Sequence, residues 1–303
     1  MPPAHCAVTD AGSGLTSNRI ALASEQTRAS GAFQPRFGTF GNVLNVPGSW
    51  LCHRAVRLAA PYLTRVSQPE FPGVHHSPNI VDTPAVYEVE NLAADRECLI
   101  ESAMERVKSR EGMVLADIGA GTGFHAVRYA KTAAHVIAVE PIDRLRLAIM
   151  RRVIEQEAGN VSVVAGSAEF TGLADHSVDI VHARFAYFVG AGCEAGLREI
   201  ERVIRPGGAF FVVDNDWRHG QFAEWLRSAP VAQRFDTPDV IDKFWFANGF
   251  SAQQIDSSWS FDTREDLEAV VRIEFPTEVA DRILETHRGN TVSYSYRLFW
   301  RIY

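Results

Sequence analysis

The segment Val114-Leu115-Ala116-Asp117-Ile118-Gly119-Ala120-Gly121-Thr122-Gly123-Phe124-His125 restricts the possible folds more than any other stretch of the chain. It opens on a short apolar run, Met113–Ile118, crosses three glycines at alternate positions and enters a helical period. A chain leaving a buried strand must turn sharply to start a helix. Gly119 can adopt backbone angles barred to residues with a side chain, and Gly121 lets a ligand approach the main chain closely. The helix start then offers unpaired N–H groups and the positive end of a dipole. The segment is therefore predicted to be a strand, a ligand-cradling turn and a helix.

The same alternation continues on both sides. A helical stretch, Glu97–Lys108, precedes the first strand. Apolar runs follow at His135–Glu140, Val161–Ala165, Val178–Ala183 and Ala209–Asp214, separated by helical periods at His125–Lys131, Asp143–Ala158 and Glu194–Val203. Short continuous apolar strands alternating with helices imply βαβ units and a parallel sheet with both faces covered. Towards the C-terminus helices are expected at Gln221–Ser228, Pro238–Asn248, Arg264–Ile273 and Thr277–Glu285. Strands at Gln254–Phe261 and Val292–Arg301 would close the sheet as an antiparallel edge pair. The expected class is α/β, a doubly wound, mostly parallel sheet of seven strands with an antiparallel edge strand and an N-terminal extension.

Three regions are expected. Residues 1–45, rich in Ala, Ser, Gly and Thr without a sustained period, read as a flexible tail. Residues 46–94 read as an N-terminal extension or lid. A short helix from Ser49 carries Trp50, Leu51, Ala55 and Leu58 and is interrupted by Pro61; its apolar face suits packing on the domain better than a membrane surface. Pro69, Pro72, Pro78 and Pro84 mark an extended, helix-averse connector. Residues 95–303 form the main domain.

With 46 % hydrophobic and 22 % charged residues in 303, the composition is that of an ordinary globular protein. No run of about 18 apolar residues suggests a membrane span, and the first 30 residues lack the pattern of a secretory signal. Cys6, Cys52, Cys98 and Cys193 are too scattered for a zinc clip or a disulfide framework, so a reducing cytoplasm is expected. His75 and His76 are too isolated to suggest a metal site. Of the net charge of −7, residues 1–75 contribute +3, from six Arg against three Asp or Glu, so the body is the acidic part. An acidic body disfavours a nucleic-acid partner. Nothing in the sequence specifies an oligomeric state.

The glycine spacing separates two ligand classes. Dinucleotide sites place glycines at positions 1, 3 and 6 of their fingerprint, whereas here they fall at 1, 3 and 5, with Asp117 two residues ahead. A carboxylate there repels a pyrophosphate and suits a ligand carrying an ammonium and a sulfonium. Asp117-x-Gly119-x-Gly121-x-Gly123 resembles the first motif of class I S-adenosylmethionine-dependent methyltransferases, and later motifs follow in the family's order. Glu140 ends the second strand, 23 residues after Asp117, where the family places the acid that grips both ribose hydroxyls. Ala165-Gly166-Ser167-Ala168-Glu169-Phe170 is similar to the segment that caps adenine, with Ser167 where many members carry Asp. Ser177-Val178-Asp179-Ile180-Val181 resembles the fourth strand, and Arg205-Pro206-Gly207-Gly208 the turn into the fifth. The resemblance covers roughly residues 95–215. It implies S-adenosyl-L-methionine as cofactor, bound by Asp117, Gly119, Gly121, Gly123, Glu140, Pro141, Ser167, Ala168 and Glu169, with no metal.

For the acceptor side the candidates are Tyr87, Arg184, Tyr187 and Asp214. Arg184-Phe185-Ala186-Tyr187-Phe188 follows the fourth strand at the sheet edge where ligands bind; aromatic core packing is the equal alternative. Arg184 suits the methionine carboxylate or an acidic acceptor. Asp214-Asn215-Asp216 ends the fifth strand as either acceptor-orienting groups or a helix cap, with Trp217 as a candidate pocket wall. Tyr87, in an upstream lid, suits the sulfonium. His125 reads equally as ligand-facing or superficial, and His182 as a packed core histidine rather than a base. The implied function is transfer of a methyl group to oxygen, nitrogen or carbon of a small molecule. A non-catalytic cofactor-binding module, a nucleic-acid or protein methyltransferase and a nicotinamide oxidoreductase are the competing readings.

Overall fold

The computed structural model describes residues 71, 74, 77–230, 232 and 236–303. The tail expected over residues 1–45, the helix from Ser49 and the pair His75–His76 lie outside the described residues.

Seven strands form one sheet: β1 (Val114–Ile118), β2 (His135–Val139), β3 (Val161–Val164), β4 (Val178–Arg184), β5 (Ile204–Asn215), β6 (Ser251–Ser260) and β7 (Thr291–Ile302), in the order β3-β2-β1-β4-β5-β7-β6. β1 to β5 pair in parallel, and β7 runs antiparallel between β5 and β6. The connecting helices are α1 (Pro78–Asp82), α2 (Pro84–Ala93), α3 (Leu99–Val107), α4 (Phe124–Tyr129), α5 (Asp143–Glu155), α6 (Glu194–Val203), α7 (Gly220–Ser228), α8 (Pro238–Ala247), α9 (Arg264–Glu274) and α10 (Thr277–Thr286).

The central strands are apolar on both faces, so successive residues enter different cores. Leu115, Ile180, Phe211 and Val213 meet side chains of α3, α4, α7, α9 and α10, among them Met104, Tyr129, Phe222, Leu267 and Ala280. Ala116, Val181, Phe210 and Val212 face the other way, onto Ile200 of α6 and Trp245 of α8. Each large side chain sealed in this way contributes on the order of 2 kcal/mol. Strand order reverses between β1 and β4, and a crevice opens there beyond the strand ends.

Two local expectations are corrected. Pro78 and Pro84 do not lie in an extended connector: each stands in the first turn of a helix, α1 and α2. Proline lacks only an N–H that this position leaves unpaired, and its fixed φ already suits a helix. Arg205-Pro206-Gly207-Gly208 is not a turn ahead of β5 but an irregular part of it. The β4–β5 register jumps from Val178↔Ile204 to Ile180↔Ala209. Gly207 takes φ +80° there, and the end of β7 pairs with it, Tyr303 N donating to the Gly208 carbonyl at 3.0 Å. One positive-φ glycine lets the strand bulge without ending.

A candidate cofactor and acceptor cleft

The glycine turn lies at the carboxyl end of β1. The N–H groups of Gly119 and Ala120 both donate to the Val139 carbonyl, at 2.9 and 3.2 Å, which ties the turn to β2. Gly119 has φ +70° and Gly121 φ +59°. A Cβ on Gly119 would stand 2.6 Å from Ala186 Cβ, and one on Gly121 2.7 Å from Ile80 Cδ1. Gly123 serves differently: it is the N-cap of α4 and packs on Ile149, away from the cleft.

Glu140 follows β2 directly and is 3 % exposed. Its Oε2 accepts from the Gly121 N–H at 2.8 Å and its Oε1 from the Ile142 N–H at 3.0 Å. Burial pushes its carboxyl up to about 7, against the opposing pull of those two N–H donors and Arg146.

Asp117 is also buried. Its Oδ1 meets His182 Nδ1 at 2.8 Å, and His182 Nε2 meets the Tyr129 hydroxyl at 3.1 Å. Parallel pairing of β1 with β4 sets Asp117 opposite His182. Both residues line a small cavity of about 60 Å³ beside the glycine turn, together with His125, Arg184, Trp259 and Tyr296. Buried atoms of this lining without a hydrogen-bond partner include His125 Nδ1, Trp259 Nε1 and Glu90 Oε2. His125 is thus neither superficial nor paired, and burial, with the Arg184 charge, holds its imidazole well below the usual range and neutral.

A cleft of about 690 Å³ adjoins this cavity. Gly119, Gly121, Glu140, Pro141, Ser167, Ala168 and Glu169 line one side. Ser167 Oγ accepts from the Phe170 N–H at 3.2 Å, so the hydroxyl shapes its own turn. Glu169 Oε1 accepts from the Tyr187 hydroxyl at 2.6 Å, a clasp between the loops that follow β3 and β4. Tyr187 and Phe185 hold φ +47° and +49°, a conformation costly for bulky residues and characteristic of binding loops.

Arg184, the last residue of β4, lies against the Phe185 and Tyr296 rings at 5.2 and 5.1 Å and borders both cavities. Among the described residues no carboxylate comes within salt-bridge distance of it. Tyr87 borders both cavities too, and burial raises its phenol far above the ordinary range.

Asp214 is not part of this lining; its neighbour Asn215 is. Strand alternation explains the difference, because consecutive side chains leave opposite faces of β5. Burial raises the Asp214 carboxyl to about 7, against the Asn215 N–H that it accepts. Trp217 is a core residue rather than a cleft wall. Asp216 accepts from the Arg218 N–H and contacts His219, a loop-bracing role.

Helices α1 and α2 lie over the glycine turn. Glu88 of α2 accepts from the Thr122 hydroxyl and pairs with Arg152 at 2.6 Å. The cleft contains residues that sequence reasoning passed over: Glu274, Phe222 and Tyr294. Glu274 ends an amphipathic helix and carries no local mark of a site, since tertiary packing alone brings it to the cleft.

Residues 116–212 match the family model described as methyltransferase domain. An uncharacterized methyltransferase of Mycobacterium tuberculosis is 32 % identical over 140 residues, 46 % of this chain and 54 % of that protein. A ubiquinone/menaquinone biosynthesis C-methyltransferase of Rubrivivax gelatinosus is 32 % identical over 118 residues, 38 % of this chain and 43 % of that protein. The chain thus spans about half the length of the relatives it matches. Among solved structures, the YcgJ protein of Bacillus subtilis superposes with a TM-score of 0.50 at 20 % identity, covering 66 % of this chain and 96 % of that one.

Proposed function

We propose that this chain, whose residues 116–212 match the methyltransferase-domain family model on a sheet of the matching fold, transfers the methyl group of S-adenosylmethionine to a small-molecule acceptor. The observation that carries the reading is the joint placement of Glu140 and the Gly121 main chain, bonded to each other at 2.8 Å on the wall of a cleft that also holds Ser167, Ala168 and Glu169. An adenosyl group fits this arrangement. Ribose hydroxyls replace the Gly121 N–H as donors to the Glu140 carboxylate, which offers two acceptor oxygens to two vicinal O–H groups. Ala168 and Glu169 border the space for the adenine ring.

The small cavity fits the amino-acid end. Its unpartnered Trp259 Nε1, a donor only, and the Arg184 guanidinium suit a carboxylate; Asp117 suits an ammonium. An orphaned buried indole N–H is costly unless a ligand completes it, and the half-buried Arg184 has no carboxylate partner within salt-bridge distance among the described residues. Bound there, S-adenosylmethionine supplies a methyl group already made reactive by the sulfonium. The protein's task is to align the acceptor with the sulfur–carbon bond and to exclude water. Tyr87 borders the junction of the two cavities, where a phenol ring favours a sulfonium by cation–π attraction.

The acidic balance of the body and a cleft of about 690 Å³ support a small molecule over nucleic acid. The test is calorimetric titration with S-adenosylhomocysteine, followed by incubation with S-adenosylmethionine and an acceptor panel while released S-adenosylhomocysteine is measured. Micromolar binding with acceptor-dependent release supports the reading. Absence of S-adenosylhomocysteine binding rejects it.

A further inference from the structure

The carboxyl groups of Glu90 of α2 and Glu274 at the end of α9 face each other closely enough to interact, and Glu90 also lines the small cavity beside the glycine turn. Both border the 690 Å³ cleft, although their helices come from opposite ends of the chain. Two carboxylates have no donor between them, so the contact requires a shared proton, and the pair carries one negative charge. Asn79 of α1 donates to Glu274. Glu90 Oε2 is sealed from solvent and has no hydrogen-bond partner. Among the described residues Arg184 is the cation whose charge bears on Glu90. On the reading above, the carboxylate of the cofactor engages Arg184 and leaves the pair unbalanced. The adjoining wall is aromatic. Phe222 and Tyr294 stack at 4.0 Å, and both line the cleft with Phe185 and Leu226.

We infer that the Glu90–Glu274 pair receives the ammonium of the acceptor, and that the acceptor is a primary or secondary amine on an apolar body of about one aromatic ring. This rests on the methyltransferase reading and specifies its substrate class. A half-buried negative charge beside aromatic faces attracts an ammonium and repels a carboxylate. The pair also supplies the chemistry that an amine requires. The anionic pair takes one proton from the ammonium and becomes neutral. The freed nitrogen lone pair bonds to the methyl carbon while the sulfur–carbon bond pair returns to sulfur. The products are an N-methylammonium and a neutral thioether. Burial and the mutual contact raise the Glu90 carboxyl well above its ordinary range, which suits a base. The other groups facing the pair are Tyr87 on α2, Asn79 on α1, Arg184 at the end of β4, and Tyr294 and Tyr296 on β7.

The test uses the full chain with S-adenosylhomocysteine kept saturating and three matched probes: phenethylamine, 2-phenylethanol and 3-phenylpropanoate. Phenethylamine is expected to bind on the order of tenfold tighter than 2-phenylethanol, the gain of one charged hydrogen-bond partner, with 3-phenylpropanoate the weakest. The double variant Glu90→Gln/Glu274→Gln should lose the preference for the amine while still binding S-adenosylhomocysteine and 2-phenylethanol. In the unaltered protein, acidification neutralises the pair, so amine affinity should fall as pH falls and 2-phenylethanol affinity should not. The inference is overturned if phenethylamine binds no tighter than 2-phenylethanol, if 3-phenylpropanoate binds best, if amine affinity ignores pH, or if the folded double variant keeps its preference. Failure of the unaltered protein to bind S-adenosylhomocysteine is a different result: it removes the methyltransferase reading, and this one with it.

Discussion

Ile80 closes on Gly121 so tightly that a Cβ on the glycine would stand 2.7 Å from Ile80 Cδ1. The first described helix therefore rests on the same main-chain atoms proposed to face the cofactor. Gly121 also holds φ +59°, which costs a residue with a side chain about 1–2 kcal/mol. Gly121→Val adds a branched side chain to both constraints. It is expected to abolish measurable S-adenosylhomocysteine binding while the far-ultraviolet circular dichroism remains that of the unaltered fold. Gly121→Ala should weaken binding less, because Ile80 can turn aside. An unaffected titration for the valine variant would place the ligand elsewhere.

Glu140, in its proposed role, is expected to make cofactor binding pH-dependent. Its carboxyl is held up to about 7 in the unliganded protein, mainly by burial. The ionised form accepts from two hydroxyls and the protonated form from fewer. Affinity for S-adenosylhomocysteine should thus fall as pH drops below about 7. Apoprotein stability should move the opposite way: a carboxyl raised in the folded state binds more protons there than when unfolded, so its contribution declines as pH rises from about 4.5 to about 7. Glu140→Ala should weaken binding by about 1–3 kcal/mol. Calorimetry from pH 5.5 to 8.5 checks both, and a flat affinity profile would remove this role.

Arg184 is proposed to engage the carboxylate of the cofactor. Arg184→Met keeps much of the apolar stem and deletes the charge. It should weaken S-adenosylhomocysteine by roughly 1.5–3 kcal/mol, the range for a charged hydrogen bond. Binding of methylthioadenosine, which lacks the amino-acid end, should not change. Equal losses for the two ligands would show that the arginine acts on the adenosyl part or on the fold.

The chain Asp117–His182–Tyr129 braces the two central strands from inside. His182→Leu leaves the Asp117 carboxylate buried without its partner at 2.8 Å. Unfolding in urea should show a loss of about 1–3 kcal/mol. Tyr129→Phe removes only the distal hydroxyl, at 3.1 Å, and should cost less. A His182→Leu variant as stable as the unaltered protein would mean that the contact contributes nothing.

Much of this architecture is legible one segment at a time. The apolar runs around Leu115, Val136 and Val181 are local signals, and so is the glycine turn, because backbone freedom and strand period are properties of neighbouring residues. Glu140 and Ala168 were equally accessible, since a parallel strand must end where the crevice begins. Pro78 misled because proline blocks a helix interior but suits its first turn, and sequence alone does not say which one applies. Asp214 and Asn215 differ by one position, and the pleat of β5 decided which of them lines the cleft.

What the linear order of residues determined by itself is the set of elements and the glycine turn that joins the first strand to its helix. What folding in three dimensions decided is the company those groups keep. His182 meets Asp117 across 65 positions, and Asn79 meets Glu274 across 195. The physical reason is that burial and the charge of distant neighbours govern ionisation and orphaned polar atoms, and both exist only once the sheet has drawn remote segments together.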